Sequence, residues 1–198
     1  MYTLGSLAPR EQYVALWQEL KRGVESAKHP FHTLTLATVR HQDGAVMPIQ
    51  RTVVLRDADS QERTVFIHSD RRSPKIADLR ENAAVSLLFY DAVGRWQLVL
   101  AGVAAVHDHD SVADDRWITV AERSRACYRT PHAPSSILDE GSRTTGNSAV
   151  VNFGGREAFS VISVQIHTLE ALFLDHAGHL RRRWNCAAGD PIAVDLAP

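Results

Sequence analysis

Cysteine is scarce in this sequence: Cys127 and Cys186 are the only two among 198 residues. One pair cannot build a disulfide framework, so a reducing, cytoplasmic setting is expected. Long apolar runs are missing as well. None reaches the roughly 18 residues of a membrane-crossing helix, and the opening MYTLGSLAPREQ lacks the apolar stretch of a signal peptide. Neither sign of charge dominates, with 22 Lys and Arg against 23 Asp and Glu. That balance gives no global attraction to nucleic acid or to an anionic membrane, so neither is expected as a partner. Repeats and low-complexity tracts are absent, and so are the compositions of collagen, coiled coils and disordered chains. A single domain over 1–198 is expected, large enough to bury about 70% of its unfolded surface without staples.

What is present is a change of period. Tyr13, Trp17, Leu20, Val24 and Ala27 form one apolar stripe at helical spacing. With Pro9 near its start and Pro30 beyond its end, this predicts a helix over about 9–28. From residue 31 onward the period is two. Strands are predicted over 33–40, 45–56, 63–68, 84–90, 95–106, 158–169, 171–175 and 179–185, with turns at 42–44 and 177–178. A polar loop over 69–74 leads into a short helix over 75–81, with Ser73 as N-cap and Pro74 at its first position. A third helix is predicted over 108–125, burying Val112, Trp117, Val120 and Ala121. The stretch 129–147 turns rich in Pro, Ser, Thr and Gly and reads as a long loop, functional or mobile. Many short strands with few helices predict a mainly β fold, an antiparallel, Greek-key-like barrel over about 31–198 with flanking helices.

The region most informative about chemistry is 51–75. Arg51 and Arg56 bracket an apolar strand segment, Thr52-Val53-Val54-Leu55. Five positions apart, their side chains leave opposite strand faces unless a bulge intervenes, so either one serves a site and the other is a surface or structural residue, or both are solvated strand-end arginines. The loop SDRRSPK at 69–75 runs from a strand end into a helix N-terminus, where free N–H groups and the helix dipole favour an anion. Each such interaction contributes only about 0.3–1 kcal/mol, so several donors must converge to hold a phosphate. Arg51, Ser73 and Lys75 are the donors on offer; the glycines of a Walker loop are absent. In strand geometry Arg181 and Arg183 share a face while Arg182 points away. His107 and His109, and His176 and His179, are the histidine pairs. No second pair stands at zinc-site spacing, and no metal is expected. Cys127 reads as an inert helix residue and Trp96 as core.

The segments RTVVLR at 51–56, VFIHSDRRSPK at 65–75, NAAVSLLFYD at 82–91 and RWQLVLAG at 95–102 resemble, in order and spacing, the pyridoxamine 5′-phosphate oxidase-like family of FMN-binding split β-barrels. The stretch LEALFLDHAGHLRRRW at 169–184 and the ending DLAP are similar to that family's last strands. The resemblance implies FMN as cofactor, a homodimer with FMN at the subunit interface, and a small-molecule substrate, phosphorylated in the authentic oxidase. It implies hydride transfer between that substrate and flavin N5; a non-catalytic flavin or haem binder of the same fold is the alternative.

By position the resemblance assigns Arg51 to the FMN phosphate or ribityl region. Thr52, Val53 and Val54 fall along the ring edge, and Ile67, His68, Ser73 and Lys75 on the phosphate loop. Gln97 matches a glutamine that reaches the flavin, and Arg183 an arginine that reaches it from the partner subunit. His179, Arg181 and Arg123 are the candidates for substrate contact. The authentic oxidase's Tyr and Ser at the substrate phosphate are here Thr119 and Cys127, and its Arg-x-His pair is reversed as His179-Leu180-Arg181.

Overall fold

A computed structural model of the chain describes residues 4–138, 154–176 and 178–198. Helix α1 (Pro9–Glu25) precedes strands β1 (Thr33–Gln42), β2 (Ala45–Asp59) and β3 (Thr64–Asp70). Helix α2 (Pro74–Glu81), β4 (Ala84–Asp91) and β5 (Trp96–His107) follow, then short helices α3 (Ser111–Thr119) and α4 (Glu122–Arg125). Strands β6 (Phe159–Phe173), β7 (Leu180–Asn185) and β8 (Ile192–Leu196) complete the order.

All pairings are antiparallel, in the order β3-β2-β1-β4-β5-β6-β7-β8, and β3 also pairs with β6. That extra pairing closes six strands into a barrel, with β7 and β8 continuing from the far half of β6. This is the mainly antiparallel barrel with peripheral helices that the alternating pattern predicts, and the split β-barrel that the resemblance implies.

The strand sequences explain the closure. In β1, Leu34, Leu36 and Thr38 are buried while Thr33, Thr35 and Ala37 alternate outward. Asp43 and Gly44, both at positive φ (52° and 77°), make the two-residue turn to β2. Leu36, Leu55, Ile67, Leu87, Leu98 and Ile166 fill the interior, each contributing about 1.5–3 kcal/mol by leaving water. The β5–β6 register breaks at Ala101/Gly102. A Cβ on Gly102 would sit 1.9 Å from the Gln165 carbonyl oxygen, so only glycine fits that approach.

Several expectations need correction. Helix α1 stops at Glu25 rather than 28, and Ala27 lies beyond it. Its buried face is Gln12, Leu16, Trp17, Leu20 and Gly23, with Tyr13 and Val24 flanking. An apolar stripe could not reveal Gln12, which is buried because its amide donates to Leu4 O (2.9 Å) and accepts from Arg182 (3.0 Å). The helix expected over 108–125 breaks at Val120 and Ala121, both extended, into α3 and α4. Ala113 and Val120 are buried there, joining Phe159 and Val161 with Trp117 and Tyr128 in a second small core; Ala121 is exposed. The strands expected at 158–169 and 171–175 are one strand, β6, held by β3 along one half and β7 along the other. Strand β3 runs on to Asp70, which shortens the loop before α2, and β8 was not foreseen. Of the long loop, 129–138 contains no α-helix or strand, and 139–147 lies outside the described residues, as does Ala177 of the last turn.

Candidate functional site

Arg51, Ser73 and Lys75 do come together, around a carboxylate that sequence reasoning missed. Arg51 lies on β2 opposite the buried Leu36, at the rim of the barrel beside α2. One terminal nitrogen, Nη1, donates to Thr38 Oγ1 (2.7 Å) and Leu36 O (3.3 Å); the other, Nη2, reaches Asp78 Oδ2 at 3.4 Å. Asp78 is buried and also accepts from Arg40 (2.8 and 3.1 Å) and Thr38 Oγ1 (3.1 Å). Burial alone would raise its pKa, but the hydrogen bonds from Arg40 and Thr38 and the nearby guanidinium charges hold it below the usual carboxylate range.

Lys75, in the first turn of α2, donates to Ser73 Oγ (2.8 Å) and Ser69 Oγ (3.2 Å). Ser73 occupies the N-cap position with extended backbone, yet its hydroxyl accepts from Lys75 instead of capping the helix. Burial pushes the Lys75 ammonium down, and repulsion from Arg51 pushes it further. Burial likewise lowers Arg51. Both cations would gain from an anion between them.

The other loop arginines are committed elsewhere. Arg72 clamps the Asp70 carboxylate (2.6 Å) and bonds Thr130 O; Arg71 reaches His109 (2.6 Å). Arg40 and Arg51 thus bond Asp78, Lys75 acts on it electrostatically from one helical turn away, and the group keeps two positive charges in excess. A phosphate monoester carries about two negative charges near neutral pH, so the donor set fits the phosphate of FMN.

A second group lies on β6 and β7. Glu170 accepts from Arg181 Nε on one oxygen and Arg183 Nε on the other, both at 2.7 Å. Arg182 turns the opposite way, to Asp195 and Gln12. Burial would raise Glu170, but the two arginines hold it below the ordinary range. By register Gln97 stands opposite Leu172, and Leu172 opposite Arg181. Gln97, Glu170, Arg181 and Arg183 therefore neighbour one another on the outer face.

The two groups stand apart within one chain. In the six-strand ring β2 and β5 are three strands from each other in either direction. Thr52 faces outward on β2, while Val53 and Val54 are half-buried. Ile67 sits in the core. His68 faces away from Lys75, toward Phe159, with ring centroids 4.9 Å apart. Its buried Nε2 has no hydrogen-bond partner among the described residues. Burial, then Arg56 and Arg116, push its pKa down to about 4.

Arg56 is the extra residue of a β-bulge between Leu55 and Asp57. It lines a hollow of about 540 Å³ with Phe66, Arg116 and Thr119. There Arg116 stacks 3.5 Å from the Phe66 ring and bonds Asp57. Arg123 on α4 and His179 before β7 are exposed. His107 bonds Asp110 and Ser163, and among the described residues no group of three or more His, Cys, Asp or Glu gathers as a metal site would require.

Asp78, Thr38, Arg40 and Glu170 are the residues that sequence reasoning missed. Two faint signals existed. Asp78 falls three positions after Lys75, on one helix face, and Thr38 interrupts the inward leucines of β1.

Residues 14–108 match the family model for the pyridoxamine 5′-phosphate oxidase FMN-binding domain. No curated protein matches the chain. Among solved structures, a pyridoxamine 5′-phosphate oxidase-related, FMN-binding protein from Nostoc punctiforme is 19% identical with a TM-score of 0.74, covering 98% of this chain and 100% of its own. PhzG from Burkholderia lata, solved in complex with tetrahydrophenazine-1-carboxylic acid, is 20% identical with a TM-score of 0.78, covering 100% and 98%. At such identities these two share the fold.

Proposed function

We propose, on the premise that residues 14–108 are an FMN-binding domain of the pyridoxamine 5′-phosphate oxidase family, that the chain is an FMN-dependent oxidoreductase acting on a small molecule. Bound FMN would supply a hydride acceptor at N5; the protein supplies binding, orientation and exclusion of water. The observation that carries the reading is the doubly positive group of Arg40, Arg51 and Lys75 around Asp78. Ser73 and Lys75 would hold the phosphate with Arg51. Thr52, Val53 and Val54 would line the ring, the backbone of Ile67 and His68 leading into the phosphate loop. Gln97 and Arg183 would complete the site. His179, Arg181 and Arg123 are the proposed substrate contacts.

The working unit in this reading is a homodimer. Leu88 (39% exposed), Tyr90 (51%) and Val103 (44%) form apolar outer surface on β4 and β5. Surface of that kind favours a second copy over water. Such packing would let each site draw Arg51 and Lys75 from one copy and Gln97 and Arg183 from the other, which their separation within one chain requires. Among the described residues no helix is long and apolar enough to cross a membrane.

The test is anaerobic mixing of the FMN-loaded protein with pyridoxamine 5′-phosphate, other amines and reduced nicotinamide, followed by flavin absorbance. Bleaching by one of them is expected. Flavin that stays oxidised with every donor would reduce the protein to a flavin carrier.

A further inference from the structure

The carboxylate at the centre of the proposed phosphate site runs against simple electrostatics. Asp78 is 5% exposed, in a helix whose other buried residues are the apolar Ile76 and Leu79. An apolar residue would pack there at lower desolvation cost, and a negative charge beside Arg51 and Lys75 opposes the binding of an anion. What Asp78 contributes is geometry. It bonds Arg51 directly (3.4 Å), and it bonds Thr38 Oγ1, which in turn accepts from Arg51 at 2.7 Å. A guanidinium has five N–H donors. Leu36 O, Thr38 and Asp78 take three of the four on the terminal nitrogens. The lateral edge, Nε–H with the remaining Nη2–H, is left for the paired oxygens of a phosphate. Arg40 anchors Asp78 from the other side through both of its oxygens.

We propose that Asp78 is a positioning residue of the anion site: with Thr38 it fixes the Arg51 guanidinium so that its lateral edge faces the phosphate. The proposal rests on the FMN reading above and deepens it, since it makes the fixed orientation of Arg51, and not summed charge alone, the source of selectivity for the phosphorylated flavin. Charge and geometry predict opposite signs for one substitution. Asp78→Asn adds a positive charge to the site, so Coulomb attraction alone predicts tighter FMN binding. Loss of the Arg51 anchor predicts weaker binding.

The experiment is fluorescence-quenching titration of FMN and of riboflavin against the wild type, Asp78→Asn and Thr38→Val, with thermal melts of the flavin-free proteins. Expected is a loss of FMN affinity of about tenfold in Asp78→Asn and about threefold in Thr38→Val, with riboflavin affinity unchanged. FMN binding as tight as wild type, or tighter, in Asp78→Asn would overturn the proposal. So would equal losses for FMN and riboflavin, the mark of a merely structural role. If Asp78→Asn fails to fold, Thr38→Val decides: a lowered FMN-to-riboflavin ratio supports the proposal and an unaltered ratio overturns it. A wild type that binds neither flavin would instead sink the cofactor reading, and this proposal with it.

Discussion

Asp78 and Glu170 each gather cations around a carboxylate, and the two groups are built differently. Around Asp78 stand three cations, one of them the half-buried Lys75, held by serine hydroxyls rather than by a counter-charge. Around Glu170 stand two arginines, one to each oxygen, at 35% and 47% exposure. The first group keeps two positive charges in excess inside a partly desolvated rim. The second keeps one, screened by water. Coulomb interactions are several times stronger where water is displaced, so the first group suits a dianion and the second suits orientation of a ligand already bound. Counting arginines alone would rank the run at 181–183 above the lone Lys75; burial and pairing reverse that order.

Substitutions that treat the two groups as equals should break this comparison or sharpen it. The largest effect is expected for Lys75→Ala. Removing a desolvated cation from a charged pair costs about 3–4 kcal/mol, a weakening of FMN binding by several hundredfold in a fluorescence titration. Unchanged FMN retention after dialysis would place the phosphate elsewhere.

Next in size is the acid response of a third cationic region, where Arg56 and Arg116 neighbour the neutral ring of His68. His68 gains its proton near pH 6.5 when unfolded and near 4 when folded. Folding therefore retains its full stability above 6.5 and loses about 3 kcal/mol as the pH falls from 6.5 to 4. Urea unfolding across that range should show the slope, and His68→Phe should flatten it. An equally steep slope in the variant would assign the acid sensitivity to other groups.

Glu170→Gln is expected to matter less. It removes charge-assisted bonds to two partly exposed arginines, worth about 1–2 kcal/mol of stability by chemical denaturation. FMN affinity should change by less than about threefold, because the phosphate is held elsewhere. A larger loss of FMN than Lys75→Ala produces would invert the ranking of the two groups.

The fold was more legible than the site. Alternation in β1 and the Asp43-Gly44 turn are local signals, and local signals suffice for strands and hairpins. Read locally, β6 looked like two strands, because its two halves serve different neighbours, β3 and β7, and only closure of the sheet shows why one strand runs through both. The helix expected over 108–125 failed because Phe159 and Val161, far along the chain, supply the surface against which Ala113, Trp117 and Val120 pack. In the site, Ser73 and Lys75 were readable from a strand end meeting a helix start. Asp78 was not: its partners Arg40 and Arg51 lie 38 and 27 positions away. A carboxylate whose task is to hold arginines leaves no periodic trace.

The most direct test of the central claim compares FMN with riboflavin on the unaltered protein, by fluorescence quenching at moderate ionic strength. The two ligands share the ring and differ in the phosphate. If the cations around Asp78 hold that phosphate, FMN should bind tighter by about two to three orders of magnitude, near 3–4 kcal/mol. Equal affinities would contradict the account, because the group singled out by burial and charge would then make no contact with the phosphate.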